Sequence, residues 1–216
     1  CGQPTALIST STISKNIANL STGRIIEFSG ITGNTQNNLS PTSSLGLLSN
    51  TIVENTAATA LLYDLTAKKT IDYNVLAFNS GKSCKFNRGD ITTVDNANVD
   101  VEKNAMNLSN ADCELPKIAL AYAKNNSIDI NGLRMVDLLS PIQLDKEYTD
   151  YLPMYFPLEK TGVSLIDVGG DGGCAGFDQR GVKRSLESDS TTASMKSNTC
   201  DIGSAEVLRL TVMCAE

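Results

Sequence analysis

The sequence predicts an all-β fold: a short solenoid of parallel strands, about four coils long, closed by a loop-rich C-terminal cap. Three observations predict it. The first is a repeat. Residues Ser11 to Asn16 (STISKN), Ser29 to Asn34 (SGITGN), Asn50 to Asn55 (NTIVEN) and Asn74 to Asn79 (NVLAFN) align without gaps, and successive members lie 18, 21 and 24 residues apart. The second is composition. Ser, Thr and Asn make up 60 of the 216 residues, and short polar side chains compete with helical backbone bonds, favouring turns and strands. The third is an even set of widely spaced cysteines, Cys1, Cys84, Cys113, Cys174, Cys200 and Cys214, which suits disulfides in an oxidising compartment.

The repeat has a physical meaning. Aligning the four segments puts Ile13, Ile31, Ile52 and Leu76 in one column and Asn16, Asn34, Asn55 and Asn79 in another. A coil of roughly 20 residues cannot bury its apolar face alone, so coils stack about 4.8 Å apart and equivalent side chains form ladders. The aliphatic column then fills the interior. The asparagine column sits at a bend, where amides bond to exposed backbone groups and to each other.

Short apolar or β-branched runs supply the other faces of the coils: Arg24 to Phe28, Leu45 to Leu48, Ala60 to Leu65 and Lys69 to Tyr73. The pattern stops after Ser80, so residues 1–83 are assigned to coils. Residues 84–115 read as a polar loop bounded by Cys84 and Cys113, and a bridge between these two would stabilise by roughly 3–4 kcal/mol. Residues 116–216 read as the cap. Within them, Pro116 to Asn125 predicts a short helix opened by proline and able to cover the end strand. Pro141, Pro153 and Pro157 argue for irregular chain, while Val163 to Val168 and Val207 to Met213 read as strands.

Several classes of function are excluded or weakened. The chain has no histidine, which removes Ser-His-Asp and Cys-His catalysis and most transition-metal sites. A net charge of -6 and a pI near 4.7 make nucleic acid a poor partner. No apolar run approaches the ~18 residues of a membrane span. No C-x-x-C pair is present, against thioredoxin-like or zinc readings. Six buried thiols in a cytosolic protein are the alternative to disulfides. The start at Cys1 without a signal peptide suggests a processed precursor, a lipoprotein or a piece of a longer chain.

A more specific resemblance emerges near the C-terminus. Asp178-Gln179-Arg180-Gly181-Val182, with Arg184 following, is preceded by Cys174 and succeeded by Cys200-Asp201-Ile202-Gly203 and Ser204-Ala205-Glu206. This resembles the signature of bacterial choice-of-anchor Q proteins, a Cys, then DQRG-x-x-R, then CDIG followed by a small residue, an aromatic and Glu. Ala205 departs from the aromatic. Upstream, Ile166-Asp167-Val168-Gly169 is similar to the family's I-D-A-G, without the histidine that usually precedes it. The resemblance spans nearly the whole chain. It implies a right-handed parallel β-helix on an exported bacterial protein, and it names a mode of anchoring without assigning any chemistry.

With that resemblance in hand, Cys174 is expected to pair with Cys200 across the DQRG element and Cys84 with Cys113. Cys1 and Cys214 would pair only if the chain ends meet. Asp178, Gln179, Arg180, Gly181, Asp201 and Gly203 are expected to be structural, with Asp178 and Arg180 as an internal ion pair that Asp201 could share; a catalytic acid and cation are the alternative. Asp167, Asp171 and Asp178 lie in an Asp-Gly-rich stretch that could supply oxygen ligands to calcium, at a spacing that matches no EF-hand. Lys68-Lys69 and Lys183-Arg184 read as solvated surface pairs. Tyr148, Tyr151, Tyr155 and Phe156 concentrate the few aromatics and could stack on a sugar or a partner, or fill a small satellite core.

Two functions follow. One is a non-catalytic secreted or cell-surface protein, at the periplasm or outer-membrane face, whose solenoid displays a binding surface for a glycan or a protein. The other is a polysaccharide lyase or hydrolase of pectate-lyase-like fold, with its active coils here or in a missing N-terminal part. The charged residues of the repeats, Lys15, Arg24, Glu27, Glu54, Asp64, Lys68, Lys69 and Asp72, recur in no single column, which favours the first. No cofactor is implied beyond the possible Ca2+.

Overall fold

The computed structural model describes residues 5–28, 44–63, 68–87, 99–109, 111–144, 146, 150, 152–158, 162–169, 174–184 and 200–207. Among them, β1 (Thr5–Ser9), β2 (Thr12–Ser14) and β3 (Arg24–Phe28) each begin a different sheet. β4 (Ser44–Leu48), β5 (Thr51–Val53) and β6 (Thr59–Tyr63) return to the same three sheets in the same order. β7 (Lys68–Asp72), β8 (Val75–Leu76) and β9 (Lys82–Phe86) do so again. β10 (Val99–Glu102) and β11 (Ala105–Met106) then extend the first two sheets, and β12 (Ile128–Asp129) extends the second. The first sheet runs β1-β4-β7-β10, the second β2-β5-β8-β11-β12 and the third β3-β6-β9. All pairings between these strands are parallel.

Register follows the apolar pattern, because a slip of one residue would turn the core face outward. Ile13, Ile52 and Leu76 share one column, as aligned from the sequence, and Met106 continues it. β2 pairs directly with β5; Ile31 and Asn34 lie outside the described residues. In the first sheet Leu45, Leu47, Ile71, Val99 and Val101 point into the core while their neighbours face outward. Lys69 occupies one of these inward positions, fully buried, with its amine 5.5 Å from the Phe28 ring. The expected solvated pair is thus split, Lys68 outside and Lys69 within, because adjacent strand residues face opposite sides.

The second sheet is buried on both faces. Ile52, Leu76 and Met106 join the inner core, whereas Val53, Val75, Ala77 and Ala105 pack outward against Ile130, Leu138, Leu139, Tyr155, Leu165 and Ile202. The described residues between Ile130 and Glu206 that join this outer core therefore lie along the flank of this sheet, where the sequence suggested an end cap. Such two-sided burial explains why these strands read as continuous apolar runs rather than alternating ones.

The strands also run further than expected. Residues 82–106 hold β9, β10 and β11, although this stretch reads as irregular loop. The polar Lys82, Ser83 and Lys85 and the alternation in Val-Asp-Val-Glu hid strands of only two to five residues. Cys84 and Cys113 form a disulfide between residues that face each other in a parallel bridge, so the bond joins neighbouring layers of the third sheet. Cys174 and Cys200 are also bonded; Cys1 and Cys214 lie outside the described residues. Val163 to Val168 is irregular chain with a turn at Ile166 and Asp167, a correction to the strand expected there. It is apolar because it seats Leu165 on the second sheet's flank, not because it pairs.

The helix is α1 (Lys117–Asn126), entered at Pro116. Ala119 and Ala123, four residues apart, face β10 and are buried, and their small side chains let the helix lie close to the last strand of the first sheet. No helix among the described residues is long and apolar enough to cross a membrane.

Candidate functional site

Among the described residues, six of the bends beside the second sheet are each made by two residues; at the bend into β2, Thr10 has a positive φ but Ser11 stands where the others carry asparagine. The first residue of each pair has a positive φ: Ser49, Tyr73 and Lys103 at one corner, Lys15, Glu54 and Phe78 at the other. Non-glycine residues rarely adopt this conformation, and it persists only when the surroundings hold it. The second residue is an asparagine that does the holding. At one corner Asn50 donates from both its backbone N–H and its side-chain amide to Oδ1 of Asn74, each at 2.9 Å. Asn74 repeats this on Oδ1 of Asn104, at 2.9 and 3.0 Å. At the other corner Asn16, Asn55 and Asn79 form the same chain. The side-chain amides also donate to strand-end carbonyls, Asn74 to those of Leu47 and Asp72. Sequence reading aligned Asn16, Asn34, Asn55 and Asn79; Asn16 bonds directly to Asn55, Asn34 lies outside the described residues, and the ladder at the first corner was missed.

The DQRG and CDIG elements form one buried cluster against the second sheet. Arg180 donates to the Asp178 carboxylate from Nε at 2.8 Å and Nη2 at 2.5 Å, and also to the Glu206 carbonyl. Arg184 pairs with Glu206 at 2.7 Å and donates to the carbonyls of Asp201 and Gly203. The carboxylates have further work: Asp178 accepts the N–H of Arg180, Val182 and Glu206, and Asp201 those of Asp167 and Val207. The cluster bonds to the strands through Gln179 to Thr12, Ser204 to Thr12 and Thr51, and Gly203 to the carbonyl of Tyr73. Arg184 is buried with Arg180, not on the surface as read from the sequence. Its three partners repay the desolvation that a lone arginine would suffer.

Gly203 shows how tight this seat is. Its φ is +116°, and a Cβ there would stand 2.8 Å from Thr51 Oγ1. Gly203→Ala is expected to destabilise the protein by about 1–3 kcal/mol through strain and loss of the seat. The midpoint of urea unfolding measures it; an unchanged midpoint would contradict the seat described.

The other expected sites lie only partly within the described residues. Asp178 is consumed by the arginine and three N–H groups, Asp171 lies outside the described residues, and among the described residues no three acidic or thiol groups are placed to hold a metal ion. Tyr148 and Tyr151 also lie outside them. Tyr155 is buried in the outer core with its hydroxyl on the Glu54 carboxylate, and burial together with that bond pushes its phenol up to about 12. Phe156 lies beneath the Arg180 guanidinium at 5.2 Å. These two rings belong to the packing, not to an exposed platform.

A different constellation faces solvent. β7, β10 and α1 enclose a groove of ≈ 440 Å³ lined by Lys68, Thr70, Asp72, Asp100, Glu102, Ile118 and Tyr122, among others. Parallel register brings Asp72 beside Glu102 and Thr70 beside Asp100, and Lys68 pairs with Asp100 at 3.1 Å. Across the groove, Ile118 and Tyr122 are 50% and 48% exposed. Burial pushes the Asp72 carboxyl up to about 6, with Glu102 and Asp100 adding to the rise, while the Glu102 N–H and Lys68 oppose it. Scattered in sequence, these acids share the outer face only because β10 exists, and the repeat alignment ended before it.

The pH dependence follows. In the fold Asp72 holds its proton up to about 6, against 3.8 ordinarily, so its contribution to stability is full below the lower value and is lost as pH rises through the higher. Asp72→Asn is therefore expected to match the parent in acid. Above the higher value it should be more stable by about 1–2 kcal/mol, once partial exposure is discounted. Urea midpoints across that range measure the gap, and a gap that shrinks with rising pH would have the wrong sign.

No family model, curated protein or solved structure matches the chain.

Proposed function

We propose that the chain is a stretch of right-handed parallel β-helix from an exported bacterial cell-surface protein, acting without catalysis as a stiff scaffold that binds a glycan or a protein partner. The observation that carries this reading is the rotation of successive strands through three parallel sheets, with a positive-φ residue and a ladder asparagine at six corners of the second among the described residues. Rigidity supports it. One disulfide joins layers of the third sheet, and the other, with a buried ion-pair cluster, braces the flank of the second, a construction suited to an oxidising surrounding. The resemblance to choice-of-anchor Q proteins points the same way. The DQRG and CDIG residues are consumed in mutual bonds, which favours structure over chemistry for that motif.

A second reading, a polysaccharide-cleaving enzyme, draws on one feature. A carboxyl held protonated to about 6 beside a second carboxyl, as at Asp72 and Glu102, has the environment of a general acid. Incubating the protein with polyuronates and neutral and amino glycans, with and without Ca2+, separates the two. Bound protein without released sugar is expected, and turnover on any member would replace the scaffold reading with the enzyme.

A further inference from the structure

We propose that the groove between α1 and the outer face of the first sheet is a saccharide site that selects sugars bearing a protonated amine and rejects uronates. The inference rests on the glycan-binding reading and names the place and the ligand class. A volume of ≈ 440 Å³ falls in the range of small-ligand sites, about 300–1,000 Å³, and suits one or two sugar rings better than a length of peptide.

The two walls are chemically different. Tyr122 and Ile118 offer an apolar surface at one side, and a tyrosine face is the usual partner for the C–H side of a pyranose. Opposite them stand Thr70, Asp72, Asp100 and Glu102, a row of hydroxyl and carboxylate acceptors for sugar hydroxyls and an ammonium.

Charge decides between sugar classes. Lys68 is engaged with Asp100, and Asp72 and Glu102 stand side by side in register, with the Glu102 N–H donating to Asp72 Oδ1 at 3.0 Å. The groups facing Asp72 are Lys68 on its own strand, Tyr73 just after it, Asp100 and Glu102 on β10, and Tyr122 on α1. A uronate carboxylate would meet this negative wall and be repelled; burial is the main cause of the raised Asp72 carboxyl, and a sugar ammonium would relieve the repulsion from Glu102 and Asp100 that adds to it. A metal ion is the other way to relieve it, but among the described residues no three ligating groups converge on a point. A sugar ammonium needs only two or three hydrogen-bond acceptors, not a full shell of ligands.

The test is calorimetric titration of the full chain with glucosamine, N-acetylglucosamine and galacturonate oligomers of equal length, near the pH at which amine and carboxylates are both charged. The glucosamine oligomer is expected to bind about tenfold or more tightly than the galacturonate one. Tyr122→Ala and Asp72→Asn are each expected to weaken it about tenfold. Ile118→Ala, at an exposed position, should weaken it less, and Leu20→Ala, outside the groove, not at all. Thermal melts confirm that each variant is folded.

Equal affinity for the three oligomers would overturn the charge selection. Unchanged affinity in folded Tyr122→Ala and Ile118→Ala would overturn the location while leaving a glycan-binding scaffold elsewhere. A lysine-rich peptide that binds the groove where the sugars do not would overturn the ligand class. Binding to no glycan at all would remove the reading on which the inference rests.

Discussion

Replacing Arg184 with methionine is expected to lower stability by about 3–5 kcal/mol. The side chain is buried, pairs with Glu206 at 2.7 Å, and supplies donors to the carbonyls of Asp201 and Gly203. Methionine matches much of the volume, so the cost comes from what stays behind: a buried carboxylate without its cation and two carbonyls without donors. Glu206 does not become free, since the Asp201 N–H still reaches its other oxygen at 2.9 Å. For that reason Arg184→Met combined with Glu206→Gln should recover part of the loss. Urea unfolding of both variants measures it. A loss below about 1 kcal/mol for the single change would mean that the cluster contributes little, and the C-terminal segment would then be held by its apolar contacts alone.

The second large effect concerns Asn74. Its amide donates to Asn104, Leu47 and Asp72, and its Oδ1 accepts two bonds from Asn50. Asn74→Leu keeps the size but strands all of these groups in a fully buried position. The expected cost is about 3–5 kcal/mol, since each orphaned buried group costs about 1–3. Asn16→Leu, at the exposed end of the other ladder, should cost under about 1 kcal/mol because water can replace its partners. The contrast is the test: equal costs would mean that the ladder matters as local capping and not as a buried chain.

Much of the strand framework was legible because the interior imposes one residue type at one position in each layer. Ile13, Ile52 and Leu76 align by eye and pair in register. The corner asparagines were half legible. Asn50-to-Asn55 and Asn74-to-Asn79 carry asparagine at both ends, which was the signal for a ladder at each corner, but Ser11 stands where the first repeat would need the other asparagine. Strands after Ser80 were hidden because Val-Asp-Val-Glu and Ala-Met are too short to show a period. The groove was hidden for a different reason. Asp72 and Glu102 lie 30 residues apart, and nothing in a linear pattern says that they become neighbours until the register of β7 and β10 is known. Tyr155 misled because a run rich in tyrosine resembles a platform, and only the packing of its ring behind Glu54 reveals a core residue.

The asparagine contacts have a consequence for how such a chain can change length. The same contact is made across 39 residues from Asn16 to Asn55, 24 from Asn50 to Asn74 and 30 from Asn74 to Asn104. Between a strand of the third sheet and the next strand of the first lie residues 29–43, 64–67 and 87–98, so most of the surplus length falls between those strands. Insertions and deletions should therefore be absorbed there, in any number, while a single residue added between Asn50 and Asn55 would throw two ladders and the aliphatic column out of step together. A library of random insertions, sorted for folded protein, would recover sequence in three windows and almost nowhere else in the first hundred residues. The molecule is in that sense a frame with replaceable margins, and new surface can be grafted onto one edge without renegotiating the interior.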